Sequence, residues 1–154
     1  VSETLTADVL DALLLAWRAD ATLIAYGDRL LISDGPPVTD RAREIELWVG
    51  ATGVEDDEEV IVFTQTRADF QADRDETLTI TNAVWVANGS HDIAAARRLA
   101  ITVFAACAAA IRNSTLSITG VFALDISSGR LRQGQFTSGV GCVLSFDVTV
   151  QGSM

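Results

Sequence analysis

The sequence contains no lysine, one histidine and two cysteines in 154 residues, and each scarcity excludes some chemistry. All 11 basic residues are arginines; set against 21 carboxylates they give a net charge of −10 and a pI near 4.3. Affinity for nucleic acid comes largely from clustered cations that neutralise phosphates. Scattered arginines on so acidic a chain supply no such footprint, so stable binding to DNA or to an anionic membrane is not expected. One histidine, His91, beside the start of a helix, and two separated cysteines cannot readily build a catalytic triad or a zinc site. Without lysine, the glycines at Gly134, Gly139 and Gly141 cannot belong to a P-loop, and they do not match the dinucleotide fingerprint. Ser138 is not in a nucleophile elbow. No apolar run approaches the roughly 20 residues that cross a bilayer. The longest, Leu99 to Ile111, contains a Thr and a Cys between flanking arginines and fits a core helix. Val1-Ser2-Glu3 lacks the positive start of a signal peptide, so export by that route is not expected, and both cysteines are expected as thiols.

What the chain does have is hydrophobic periodicity. Hydrophobic content of 49% and mean hydropathy of +0.29 exceed those of a disordered chain. The length fits one domain over 1–154, burying roughly 68–70% of its unfolded surface. Leu5, Val9, Ala12, Leu13, Ala16 and Trp17 predict a helix over 4–18, started by Thr4 or Ser2. Ile93, Ala96, Ala100, Val103, Phe104, Cys107 and Ile111 predict a second over 92–113, capped by Ser90 or Asp92. A short helical turn is expected from Ala21 to Tyr26, and Asp34-Gly35-Pro36-Pro37 is a strong turn signal.

Period-two alternation predicts strands near 29–33, 44–50, 60–66, 76–87, 118–126 and 140–151. Ile118, Phe122, Leu124 and Ile126 align on one face of the fifth; Val140, Cys142, Leu144, Phe146, Val148 and Val150 align on one face of the sixth. The fold class is α+β: a single, mostly antiparallel sheet with two main helices on one face. Phe104, Phe122 and Phe146 are expected to share the core, each worth about 3–5 kcal/mol against alanine. Cys107 and Cys142 are expected as small core residues. Trp48 and Trp85 fall on the opposite face, where two exposed tryptophans would mark a protein contact. Ser127-Ser128-Gly129 is expected to turn the chain, leaving Arg130 to Ser138 as a polar hairpin. The five carboxylates Glu55, Asp56, Asp57, Glu58 and Glu59 lack the ligand spacing of a calcium loop and fit a solvated one.

In order and spacing the chain resembles the tail-terminator (tail-completion) proteins of long-tailed bacteriophages, in the version common among actinobacterial phages. The features that carry the likeness are the Leu-rich N-terminal helix, the strand ending Asp34-Gly35-Pro36-Pro37, and Trp48-Val49-Gly50 before the acidic loop. After these come Arg74-Asp75-Glu76-Thr77-Leu78-Thr79-Ile80, Ala83-Val84-Trp85, the Ala/Arg-rich helix of 92–112, and Leu131-Arg132-Gln133-Gly134-Gln135 before the last alternating strand. The resemblance implies a non-enzymatic virion subunit, assembled in the host cytoplasm, without a cofactor or membrane partner. Such a subunit forms a hexameric ring on the tail tube, ends its polymerisation and meets the head connector or another neck protein, while DNA passes without specific binding. Other neck or tail-tube subunits share this general architecture. The competing class is a small-ligand-binding or enzymatic α+β domain with a pocket between helix and sheet. For a ring, Arg130, Arg132, Gln133 and Gln135 are the expected intersubunit contact. Glu55, Asp56, Asp57, Glu58 and Glu59 are the expected channel lining, with Asp73, Asp75 and Glu76 next.

Overall fold

A stripe of Leu5, Val9, Leu13 and Trp17, four residues apart and all buried, organises the first helix, α1 (Thr6–Ala19). These coordinates are a computed structural model that describes residues 3–37, 43–52, 59–67, 73–88, 92–113, 116–136 and 139–154. Asp20 turns to an extended conformation and ends α1, and its carboxylate accepts from Leu23 N (3.1 Å) to start α2 (Ala21–Ile24). A 3₁₀ turn, Gly27–Arg29, follows, with Gly27 at φ 58°. Six strands come after it: β1 (Leu30–Asp34), β2 (Ile45–Val49), β3 (Ile61–Arg67), β4 (Arg74–Asn88), β5 (Val121–Phe136) and β6 (Gly139–Ser153). Between β4 and β5 lies α3 (Ile93–Asn113), whose first turn is capped by the Asp92 carboxylate accepting from Ala95 N (3.1 Å).

The sheet is mixed, ordered β1-β2-β4-β6-β5, with β1 parallel to β2 and every other pair antiparallel. β4 is long enough to carry two partners on one edge. Its first half pairs with β3 and its second half with β2. Asn82, fully buried where the partners change, accepts from Gly50 N (3.1 Å) and donates to Ile80 O (3.1 Å), tying the end of β2 to β4 at the junction.

The helices cover one face, and the core lies between them and the sheet. Rows such as Leu47–Val84–Leu144 and Ile45–Val86–Cys142 meet Ala96, Ala100, Val103, Cys107 and Ile111 of α3. With 21 residues and a mean hydropathy of 1.6, α3 is long and apolar enough to cross a membrane by composition. Here its buried face packs on β4 and β6. At the centre, Phe146 meets Trp17 and Phe104 edge-to-face, at centroid distances of 5.9 and 5.1 Å, and Trp17 Nε1 donates to Cys107 O (3.1 Å). Both cysteines are free and buried, and burial pushes both thiols above their usual range, with Arg97 partly offsetting this at Cys142.

Three expectations are corrected. Phe122 is outside the core and 68% exposed. Val121 pairs with Gly152 and Ala123 with Gln151, so Phe122 is the extra residue of a β-bulge that breaks the period-two face. Ser127-Ser128-Gly129 is not a turn: Ser127 is a second bulge inside β5, and the strand continues through the supposed hairpin to Phe136. Trp48 and Trp85 do share the outer face, but at 5% and 4% exposure they form a second small core with Ala51, Ala83 and Val143.

The start of α1 is held by β4 as well as by Thr4, whose Oγ1 accepts from Thr6 N (3.3 Å). Glu76, 2% exposed, accepts from Leu5 N (2.9 Å) and Thr4 Oγ1 (2.8 Å) with one carboxylate oxygen, and from Gln65 Nε2 (2.6 Å) with the other. Arg74 bonds both Gln65 Oε1 (3.3 Å) and the Glu3 carboxylate (2.9 Å). Glu76→Gln would set an amide NH₂ against one of these donors. The expected loss is about 1–3 kcal/mol, read as a lower urea midpoint at unchanged slope.

Candidate functional site

Pairing register decides which side chains β5 presents, and to which side. On the outer face two rows cross the sheet: Glu46–Trp85–Val143–Arg132 and Trp48–Ala83–Ser145–Arg130. Both rows end at the β5 edge in an exposed arginine that makes no ion pair among the described residues. Gln133 stands opposite Cys142 and therefore faces the helix side, where its Oε1 accepts from Arg97 Nη1 of α3 (2.9 Å). The four expected contact residues are thus divided. Arg130 and Arg132 lie together on the outer face, Gln133 is tied to α3, and the Gln135 side chain lies outside the described residues.

β5 is also an edge. From Ser128 to Phe136 it pairs without interruption with β6 on one side and with no described strand on the other. The opposite edge, β1, is partly blunted, because Arg18 Nη2 donates to Ile32 O (3.2 Å). Beside the β5 edge, Leu131 (39% exposed) and Ile101 of α3 (47%) leave apolar surface around the Arg97–Gln133 bond.

Of the acidic run, Glu59 is exposed just before β3, and Glu55, Asp56, Asp57 and Glu58 lie outside the described residues, as does His91. Asp73 and Asp75 are exposed, whereas Glu76 is committed to the start of α1 and is withdrawn as a channel-lining residue. Among the described residues no cluster of three His, Cys, Asp or Glu side chains could hold a metal. An open groove of about 220 Å³ lies beside β1, lined by Trp17, Leu23, Ile24, Leu30 and Ile32 with Arg18. It is smaller than the roughly 300–1,000 Å³ of ordinary ligand pockets.

The arrangement is that of an α+β protein with one helix-covered sheet face and a long open edge. Its fold is similar to that of a chain in the solved virion of a native gene transfer agent (GTA) particle, with a TM-score of 0.58 and 17% identity over 98% of this chain and 100% of that one. No family model matches the sequence, and no curated protein does.

Proposed function

We propose that this chain is a structural virion subunit that forms a ring on the end of a tail tube, stops the tube's growth and joins it to the head connector. The observation that carries the reading is the fold likeness to a virion component along nearly the whole of both chains. The tail-terminator resemblance of the sequence supports it independently. The role is architectural: the chain contributes surfaces and not a reaction. The β5 edge with Arg130 and Arg132 meets a neighbouring copy. Carboxylates of the 55–59 run, with Asp73 and Asp75, line a channel through which DNA slides without being held.

Light scattering on the purified protein tests the reading. The expected result is a discrete particle near six times the 16.4 kDa protomer, with a central hole in electron micrographs, or the same ring recruited to tail-tube ends. A strict monomer that ignores tail tubes would overturn it.

A further inference from the structure

Charge is unevenly divided along this chain, and the fold turns that division into geometry. Residues 93–136, which contain α3 and β5, hold Arg97, Arg98, Arg112, Arg130 and Arg132 against Asp125 alone, a net charge of +4 within a chain of −10. Residues 3–28, which contain α1 and α2, hold five carboxylates against Arg18 alone, a net charge of −4. α1 packs on β1, β2 and α3, and α3 on β4, β6 and β5, so the acidic flank reaches one edge of the sheet, at β1, and the basic flank reaches the other, at β5. Each also exposes apolar side chains. Leu131 and Ile101 lie on the basic flank; Leu15 (72% exposed) and Ile24 (58%) lie on the acidic one, and Ile24 lines the groove beside β1.

We propose that the α3–β5 flank of one copy docks on the α1–α2 flank of a second copy of this chain, head to tail. The proposal rests on the ring reading and names the two surfaces that would build the ring. Opposite net charge steers the flanks together, and the apolar side chains on both supply area to bury. A two-fold pairing of β5 with β5 would instead bring Arg130 and Arg132 of both copies together, like charge on like. Strand-on-strand continuation at β1 is hindered by Arg18 on the Ile32 carbonyl, so the contact joins an edge to a helical flank. Two different surfaces on opposite edges do not saturate at a dimer; repeated, they close into a ring or run on as a filament.

The test uses two variants of the full chain, Arg130→Glu with Arg132→Glu, and Asp8→Arg with Asp11→Arg, the latter pair being exposed on α1. With circular dichroism unchanged, each alone should lower oligomer affinity by about tenfold or more. An equimolar mixture should reassemble into particles containing both chains, since the carboxylates introduced on β5 of one variant would meet the arginines introduced on α1 of the other, and the remaining junctions keep their native charges. Wild-type assembly should also weaken as NaCl rises, a readout that needs no variant to fold. Asp8/Asp11-reversed chains that form rings as stable as the wild type, or wild-type rings that are indifferent to salt, would overturn the docking and leave the ring standing. A wild-type chain that remains monomeric would overturn both.

Discussion

Phe146→Ala is expected to lower stability by about 3–5 kcal/mol, roughly a 10 °C fall in thermal midpoint for a chain of this size. Phe146 is 1% exposed and is gripped edge-to-face by Trp17 of α1 and Phe104 of α3. Its removal leaves a cavity where α1 and α3 meet the sheet. The surroundings are poorly able to collapse into it, because Trp17 is also fixed by its bond to the Cys107 carbonyl. Phe122→Ala is the internal control: the same truncation at the exposed bulge of β5 should change stability by no more than about 0.5 kcal/mol. Equal losses at the two positions would show that the bulge, and with it the register of β5 on β6, is wrongly placed.

Gly152→Ala should be a strongly damaging addition of a single carbon. A Cβ there would lie 2.6 Å from the Gly120 carbonyl oxygen and would overlap the Leu5 side chain. The carbonyl cannot retreat freely, because Ser153 N donates to it (2.8 Å), and Gly120 itself sits at φ 87°, where other residues are strained. A cost at the upper part of the roughly 1–3 kcal/mol of core overpacking is expected in urea unfolding. Gly134→Ala makes the comparison, since nothing lies within 4 Å of the added carbon and its effect should be near zero. A neutral Gly152→Ala would mean that Leu5 and the 120 turn are not packed against β6 as described.

How much of this was legible in the sequence depended on whether period held. The helices expected over 4–18 and 92–113 are observed as Thr6–Ala19 and Ile93–Asn113, because an unbroken 3.6-residue stripe leaves little freedom. Strands 29–33, 44–50 and 60–66 fall within a residue or so of β1, β2 and β3 for the corresponding reason. The reading failed in β5, where Ser127-Ser128-Gly129 has the composition of a turn but adopts a bulge, and where Phe122 is an inserted residue that breaks the alternation. Composition is local, whereas a bulge is fixed by the register of the partner strand. Glu76 shares the parity of Leu78, Ile80 and Val84, so its inward position was in the pattern, but the N-terminal groups that it holds are about 70 residues away and leave no local mark. Arg130 and Arg132 were recognised as a pair, and their separation from Gln133 follows from parity once the strand is known to continue. The shared edge of β4 is a long-range pairing that no window of sequence displays.

The central place of β6 has a kinetic consequence. β6 lies between β4 and β5, yet both neighbours are synthesised before it. Until it emerges from the ribosome, β5 has no strand to pair with in this sheet and β4 is open along one whole side. The entropy of closing those loops is lost before the non-local contacts can compensate, which makes such topologies slow to mature. In that interval the nascent chain exposes β5 on both edges and β4 along one, and on crowded polysomes these are the surfaces most open to mispairing between chains.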